Sequence, residues 1–330
     1  MKGAARLAIA LMSGLWLITA GAAPLSVTDA TGQRVTLEQP ARRIVSLSPH
    51  ITEQLFAIGA GGFIVGTVEW SDYPEAAKAI PLVGSSSAIN YEVLVRLDPD
   101  LVLVWRSGNG EQVVARLRAL GLAVHVQEPE RLEDIPLELA RLGVLAGREQ
   151  QAGAVIENFN ARIAALRDRY EERRPVRVFQ QIWNQPMITL NGDHLVSDII
   201  RLCGGRNIFA DAPTLVVSTS LEAVLLRDPE LIVVSEADGE PPPWIGDWQK
   251  WPGISAVANG QVRVIDPDLL HRHGPRIAEG AEQLCQAVEQ ARQALTGQGN
   301  RVKKEWLRSN LAQSEAVARH NVFRDRQRQG

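Results

Sequence analysis

The longest regular pattern of apolar positions lies in the middle of the chain, between Gly147 and Pro175. Apolar residues recur there at intervals of three and four, which places them on one face of an α-helix. Roughly 26 residues at 1.5 Å each predict a rod of about 40 Å. A long surface helix would show the same pattern, but the sequences on either side favour a strut between two domains.

Two stretches that flank this helix resemble each other. Residues 91–105 read YEVLVRLDPDLVLVW, and residues 221–235 read LEAVLLRDPELIVVS. Each predicts an amphipathic helix with an acidic start, an Asp-Pro stop and a buried strand. Glutamate, aspartate, proline, leucine and valine recur at a constant offset of 130 positions, as in an internal repeat.

Other short apolar runs predict further strands, at 43–47, 63–68, 122–127, 176–182 and 262–265. Strands that alternate with helices favour parallel sheets. We therefore predict an α/β fold with two similar Rossmann-like lobes, at 23–146 and 175–295, each built on a parallel sheet. One long interlobe helix at 147–174 would join them. A short hairpin is predicted at 25–40.

The first 22 residues have the pattern of a secretory signal peptide. Lys2 and Arg6 precede an apolar run, and Ala20-Gly21-Ala22 offers a small-residue cleavage site. The run is short for a membrane span, and no cysteine follows the cleavage region to carry a lipid anchor. We expect a soluble protein outside the cytoplasm.

The net charge of −3 is unevenly spread along the chain. The signal contributes +2 and the tail at 296–330 contributes +5, so the body between them carries −10. An acidic body argues against nucleic acid or an anionic membrane as a partner. The tail is polar and basic without an apolar stripe, which predicts disorder or a frayed helix.

The chain has two cysteines, Cys203 and Cys285. In an oxidising compartment a disulfide is the expected use of such a pair. It would close a loop of about 80 residues and stabilise the fold by roughly 4 kcal/mol. A two-thiol metal site is the alternative, although no histidine pair nearby completes a ligand set.

Three tryptophans are expected at the carboxyl ends of strands: Trp70, Trp105 and Trp183. Ligands of open α/β sheets bind at that end, and aromatic walls suit a large flat ligand. Three unrelated buried tryptophans are the alternative. In the loop after the last strand, Asp268 and Arg272 would hydrogen-bond the polar edges of a ligand, or else pair with each other as a brace.

The sequence offers no convincing catalytic residues. It has no Gly-x-Ser-x-Gly elbow, no phosphate loop and no His-Glu-x-x-His pair. His271 and His273 are the only close histidines, and ligation of a metal or haem is one possible use of them. Trp244, Trp248 and Trp251 have helical spacing, which predicts core packing or a helix that lies over the second lobe.

Several motifs together carry a resemblance to a known family. In chain order within residues 41–292 they are SLSPHITEQLFAIGA, WSDYP, LDPDLVLVWRSGN, LCGGRNIF and DLLHRHGPRI. The chain resembles the periplasmic cobalamin-binding proteins of vitamin B12 ABC importers. More widely, it resembles the class III periplasmic binding proteins for siderophores, haem and cobalamin. The resemblance implies two lobes and a rigid interlobe helix, which agrees with the predicted strut.

The resemblance also implies roles for single residues. A corrinoid held between the lobes would contact Trp70, Tyr73, Trp105, Trp183, Asp268 and Arg272. Cys203 and Cys285 match the disulfide pair of the family. Glu92 and Glu222, one in each lobe, match the acidic residues that meet arginines of the membrane permease dimer. Their equivalence within the repeat suits a two-fold symmetric partner, and two solvated helix surfaces are the alternative.

The chain departs from the cobalamin binders at several positions where they have aromatic residues. Here it has Ser85-Ser86-Ser87, Ile188 and Val216. Trp183 would compensate for these losses. The departures bear on the ligand and leave the predicted fold and transport role as they are.

We predict a monomeric periplasmic solute-binding protein, without catalytic or metal-binding residues, that captures a corrinoid, cobalamin, and delivers it to an ABC importer. A carrier of ferric siderophore or haem is the alternative within the family. It is favoured if Arg106, Arg272 and Arg276 converge on an anionic ligand or if a histidine ligates iron. The alternative from another class is an enzyme that acts on a tetrapyrrole, such as a chelatase.

Overall fold

The computed structural model describes residues 24–235 and 242–297. The predicted signal peptide at 1–22 and positions 298–330 of the predicted tail lie outside the described residues. Within the described ranges, no helix is both long and apolar enough to cross a membrane.

The chain begins with the predicted hairpin, formed by antiparallel strands β1 (Leu25–Thr28) and β2 (Arg34–Leu37). Asp29 holds the turn, because one of its carboxylate oxygens accepts hydrogen bonds from the backbone N–H of Thr31 at 2.8 Å and of Gln33 at 3.0 Å. The apolar residues of β2 join the core of the first lobe.

The first lobe is built on a four-stranded parallel sheet with the order β4-β3-β5-β6. Its strands are β3 (Ile44–Ser46), β4 (Ile64–Gly66), β5 (Leu101–Trp105) and β6 (Val124–Gln127). Its helices are α1 (Pro49–Ala57), α2 (Tyr91–Arg96), α3 (Arg106–Asn109), α4 (Glu111–Ala119) and α5 (Asp134–Ala146), with 3-10 turns at Gly61–Phe63 and Glu75–Ala79. The strands are almost entirely buried, which explains why their residues are mostly apolar.

The interlobe helix α6 spans Glu149–Tyr170, 22 residues. It follows α5 closely, because Gly147 adopts a left-handed φ of 59° and ends that helix. The two helices pack tightly at Gly143, where an added Cβ would lie 2.8 Å from the Cβ of Ala152. Apolar residues of α6 belong to a core cluster that also contains residues of both lobes, so the strut is packed rather than free.

The second lobe has a four-stranded parallel sheet with the order β12-β11-β7-β9. Its strands are β7 (Val176–Gln181), β9 (Gly205–Asn207), β11 (Leu231–Val234) and β12 (Val262–Val264), and β8 (Ile188–Leu190) pairs antiparallel with β10 (Val216–Ser218) beside it. Its helices are α7 (Leu195–Leu202), α8 (Leu221–Arg227), α9 (Ser255–Ala258), α10 (Pro267–Leu270) and α11 (277–297). The fold is therefore the predicted α/β arrangement of two similar lobes with parallel sheets and one long helix between them.

The internal repeat is visible in the backbone. Helix α2 leads into β5 as α8 leads into β11, and the first turns are capped alike, by the side chains of Asn90 and Ser220. Asp98 and Asp228, 130 positions apart, both have a left-handed backbone, with φ of 46° and 41°. The same unusual conformation before each proline shows that the repeat is structural as well as sequential.

Two further predictions concern the second lobe. Cys203, at the end of α7, forms a disulfide with Cys285 in α11, as predicted, and both residues are buried. The tryptophan-rich segment folds as a 3-10 helix, Pro243–Lys250. Trp248 is buried in the core of the lobe, whereas Trp251 is exposed, so core packing accounts for only part of the segment.

Candidate functional site

The carboxyl ends of the two parallel sheets carry the loops that contact each other. The loop after β12 reaches helix α1 of the first lobe, where the side-chain amide of Gln54 donates to the backbone oxygen of His273 at 2.8 Å. The loop after β4 carries Trp70, and the loop after β7 carries Trp183. These sheet ends are where the topology predicts that a ligand binds.

Trp70 projects into solvent from a fixed loop. Its side chain is 75% exposed, and its backbone has a left-handed φ of 66°, which is unfavourable for a residue with a Cβ. Buried hydroxyl groups connect the loop to helix α1. The hydroxyl of Thr52, in α1, lies 2.9 Å from that of Thr67 and 3.5 Å from that of Ser71. The surrounding structure thus holds an indole in water.

Trp105 lies deeper than Trp70. Its backbone N–H donates to the side-chain oxygen of Asn109 at 2.9 Å, and its ring packs edge-on against His50 and His273, with centroids 5.3 and 5.5 Å away. A Cβ at Gly108 would lie 2.1 Å from the indole, so only glycine allows this ring position. The indole N–H is buried without a hydrogen-bond partner. Trp105 therefore forms part of the contact between the lobes.

Trp183 is the exposed tryptophan of the second lobe, with 57% of its surface accessible. Its indole N–H donates to the backbone oxygen of Gln185 at 3.0 Å, so the polar group of the ring is already used. What remains available to a ligand is the flat face of the ring.

Arg272 joins the lobes through three carboxylates. Its guanidinium contacts Glu53 at 2.9 Å and Asp72 at 2.7 Å, both in the first lobe, and Asp268 of its own loop at 2.8 Å. Of the two uses predicted for Asp268 and Arg272, the structure shows the pairing within the loop. Burial raises the pKa of Asp268, and the charge of Arg272 opposes that shift.

Arg276 completes this cluster. Its guanidinium binds both oxygens of Glu53, each at 2.8 Å, and lies 3.7 Å from the centroid of the Tyr73 ring. Glu53 is buried, and the two arginines compensate its negative charge. We call these five charged residues, Glu53, Asp72, Asp268, Arg272 and Arg276, the interlobe ion cluster. Two guanidinium groups face three carboxylates in it.

Four histidines meet beside this cluster: His50, His194, His271 and His273. Their neighbouring ring centroids lie 5.6 to 6.3 Å apart. Burial, with the charge of Arg272, lowers the pKa of His50 to about 3, and burial lowers the pKa of His194 to about 4. Burial, with the neighbouring His194, lowers the pKa of His271 to about 3. The imidazoles are therefore neutral at physiological pH.

Burial and the three other imidazoles hold the pKa of His273 well below its usual range as well. One ring nitrogen each of His50, His271 and His273 is buried without a hydrogen-bond partner. Over residues 24–235 and 242–297, no three His, Cys, Asp or Glu side chains are arranged to hold a metal ion. The histidine cluster thus packs as a group of neutral rings.

Comparison with known proteins places this architecture in a family. A model of the family described as periplasmic binding protein matches residues 44–269. The chain belongs to the periplasmic binding protein family. The vitamin B12-binding protein of Yersinia pestis is 37% identical over 250 residues, which cover 76% of this chain and 87% of that protein.

Solved structures of the family have the same fold. The periplasmic vitamin B12-binding protein BtuF of Vibrio cholerae is 36% identical, with a TM-score of 0.71 over 77% of this chain and 98% of that one. The periplasmic heme-binding protein RhuT of Roseiflexus is 26% identical, with a TM-score of 0.68 over 76% and 99% of the two chains. The family thus includes binders of more than one tetrapyrrole.

The two glutamates predicted to meet a permease lie on equivalent helices of this periplasmic binding protein. Glu92, in α2, pairs with Arg96 at 2.7 Å, and both side chains are exposed. Glu222, in the first turn of α8, is also exposed, and hydrogen bonds from its own backbone N–H and then from the Ser220 hydroxyl lower its pKa. Both carboxylates therefore lie at the protein surface, one on each lobe.

Sequence reasoning did not assign functional roles to Glu53, His50 and His194. These residues are separated by up to 223 positions from the residues they contact in the last loop. One signal could have indicated two of them. Glu53 and His50 follow β3 at the carboxyl edge of its sheet, where the last loop of the second lobe was also expected. A carboxylate there, opposite two arginines, is the pairing that charge alone would suggest.

Proposed function

We propose that the protein is a periplasmic solute-binding protein that captures a corrinoid, cobalamin, between its two lobes. One observation carries the proposal: two exposed indoles, Trp70 and Trp183, stand at the carboxyl edges of the two sheets in a chain 37% identical to vitamin B12-binding proteins. Large flat ligands gain much contact area from such rings. Its relatives are named for binding, and we propose no catalytic role.

The charges of the cleft favour a corrinoid over an anionic ligand. A ferric siderophore or haem carrier would need free cations in the cleft for its ligand. Arg272 and Arg276 are engaged by the carboxylates of the interlobe ion cluster, and Arg106 lies 3.5 Å from Glu128. The corrin ring carries neutral amide side chains, which do not require unpaired arginines.

Haem remains the second candidate because of the histidine cluster. Imidazole nitrogens are common iron ligands, and His271 has a buried ring nitrogen without a partner. Ligation would require this ring to leave its packing against His194. The corrinoid proposal requires no such rearrangement.

Titration of residues 23–330 with cyanocobalamin, cobinamide and haemin tests the proposal. Calorimetry and tryptophan quenching measure binding, and we expect saturation at one corrinoid per chain. The Trp70→Ala variant should bind the corrinoid at least tenfold more weakly. Leu120→Ala is the matched control, because Leu120 is an exposed apolar residue at the end of α4, at the opposite edge of the sheet. Tight binding of haemin without any corrinoid binding would refute the proposal.

We further propose that the loaded monomer delivers its ligand to an ABC importer in the periplasm, with Glu92 and Glu222 docked on the permease dimer. Exposed carboxylates at equivalent positions of two similar lobes suit a partner with two-fold symmetry. Glu222→Lys should reduce stimulation of the ATPase of the cognate importer in nanodiscs. Glu149→Lys, an exposed acid at the start of α6, should not, and equal effects of the two variants would argue against docking through Glu222.

A further inference from the structure

A pocket of about 360 Å³ lies in the second lobe next to Trp183. Its lining includes Asn184, Gln185, Trp244, Trp248, Lys250 and Trp251. A smaller recess of about 220 Å³ shares Asn184, Gln185 and Trp244 with it and reaches Trp183. We call the two together the tryptophan pocket.

The tryptophan pocket opens at the edge of the sheet where the ligand is proposed to bind. The indole N–H of Trp248 donates to the side-chain oxygen of Gln181, the last residue of β7, at 3.0 Å. Asn184 and Gln185 follow that strand directly after Trp183. The pocket is therefore continuous with the exposed indole of the second lobe.

The lining combines flat aromatic faces with a few polar groups. Trp251 is 39% exposed and Trp244 half-buried, so both rings keep apolar surface that a ligand could cover. Among the lining residues, Lys250 is the one cation, and it contacts Asp247, which also lines the pocket, at 2.7 Å in an exposed ion pair. Such an ion pair is weak and can exchange one anionic partner for another.

This combination points to the class of ligand group. Indole rings stack on a planar nitrogen heterocycle, carboxamides form hydrogen bonds with hydroxyl groups, and an ammonium group donates hydrogen bonds to phosphate oxygens. At about 360 Å³ the pocket is at the small end of sites for whole ligands, so it suits one arm of a large ligand rather than a corrin ring. A complete corrinoid has one arm with all three features, its nucleotide, made of an aromatic base, a ribose and a phosphate.

We propose that the tryptophan pocket binds the base and phosphate of the nucleotide arm of a complete corrinoid, an inference that rests on the proposed function. The corrin ring would lie in the cleft between the lobes, and the arm would extend over Trp183 into the second lobe. The pocket would then distinguish cobalamin from corrinoids that lack the arm.

Calorimetric titration with cyanocobalamin and with cobinamide, which lacks the nucleotide, tests this inference. We expect Trp251→Ala to weaken cyanocobalamin about tenfold and cobinamide less than twofold, since a base–indole contact is lost only with the former. Lys250→Gln should weaken cyanocobalamin alone, and less so at high salt. Trp70→Ala, in the other lobe, should weaken both ligands alike.

Each outcome decides between distinct conclusions. If both corrinoids bind but Trp251→Ala affects them equally or not at all, the inference is overturned while the proposed function stands. If the unmodified protein binds neither corrinoid, the proposed function fails and the inference with it. Trp244→Ala is a second variant, and because Trp251 is exposed, a folding defect of the Trp244 variant would leave the Trp251 result decisive.

Discussion

Acidification from pH 7 to pH 5 should destabilise this protein strongly, because of the histidine cluster. The pKa values of His50, His194 and His271 are lowered to about 3, 4 and 3 by burial. In the unfolded chain each imidazole titrates near its ordinary pKa of about 6.5. The unfolded state therefore binds protons below pH 6.5 that the folded state does not bind.

This difference in proton binding determines the direction and the size of the change in folding stability. The stability due to neutral imidazoles is fully present above pH 6.5 and is lost as the pH falls toward the folded pKa values. One pH unit corresponds to about 1.4 kcal/mol, and pH 5 lies about 1.5 units below the pKa of an imidazole in the unfolded chain. At pH 5 each of the three histidines therefore lowers the free energy of unfolding by about 2 kcal/mol. His50 alone thus sets a lower figure of about 2 kcal/mol, and all three an upper figure of about 6 kcal/mol.

Urea unfolding at pH 7, 6 and 5, followed by circular dichroism and fluorescence, measures this loss. With a slope near 3 kcal/mol per molar urea, the midpoint should fall by roughly 0.7 to 2 M. His50→Gln removes one titrating group and should reduce the pH dependence between pH 6 and 5 by about 1.4 kcal/mol per pH unit. A urea midpoint that stays constant from pH 7 to 5 would refute the reasoning. So would a His50→Gln variant whose free energy of unfolding depends on pH as that of the unmodified protein does.

Three further perturbations have defined outcomes. Glu53→Gln leaves two guanidinium groups without their shared buried partner and should lower the free energy of unfolding by about 3 to 5 kcal/mol in urea titrations, whereas the more exposed Asp72→Asn should cost less than about 1 kcal/mol. Gly108→Ala should displace the indole of Trp105, seen as a changed near-ultraviolet spectrum and a corrinoid affinity at least tenfold weaker, while Gly153→Ala, which has open space for its Cβ, should change neither. Replacing both cysteines of the disulfide, which are 82 positions apart, should lower the free energy of unfolding by about 4 kcal/mol, and a loss below 1 kcal/mol would contradict the chain-entropy reasoning.

The sequence was sufficient to predict the fold because its signals are local. The buried parallel strand β11 is a continuous apolar run, Leu231–Val234, and the predicted strand at 176–182 is observed as Val176–Gln181. The predicted interlobe helix at 147–174 is observed as Glu149–Tyr170, so it ends at Tyr170 rather than at 174. Pro175 disfavours helical backbone in the residue before it, so the last turn before the proline does not form.

The site was less predictable because its contacts are distant in sequence. Trp70 and Trp183 could be placed at strand ends by topology alone, and both are exposed there. Trp105 could be placed at a strand end in the same way, but its depth depends on His50 and His273, which approach it from two different lobes. No periodicity in a single chain segment reports such a contact.

The interlobe ion cluster holds residues of the proposed ligand site in place between the two lobes. Asp72 bonds to Arg272, and Tyr73 lies against Arg276, so the residues next to Trp70 are held by the opposite lobe. Buried ion pairs contribute little net stability, but here they fix the distance between the last loop and helix α1 of the first lobe. A ligand that meets indoles already held in place loses less free energy to ordering them. On the proposed function, the polar contacts between the lobes therefore favour affinity by positioning Trp70 before the ligand binds.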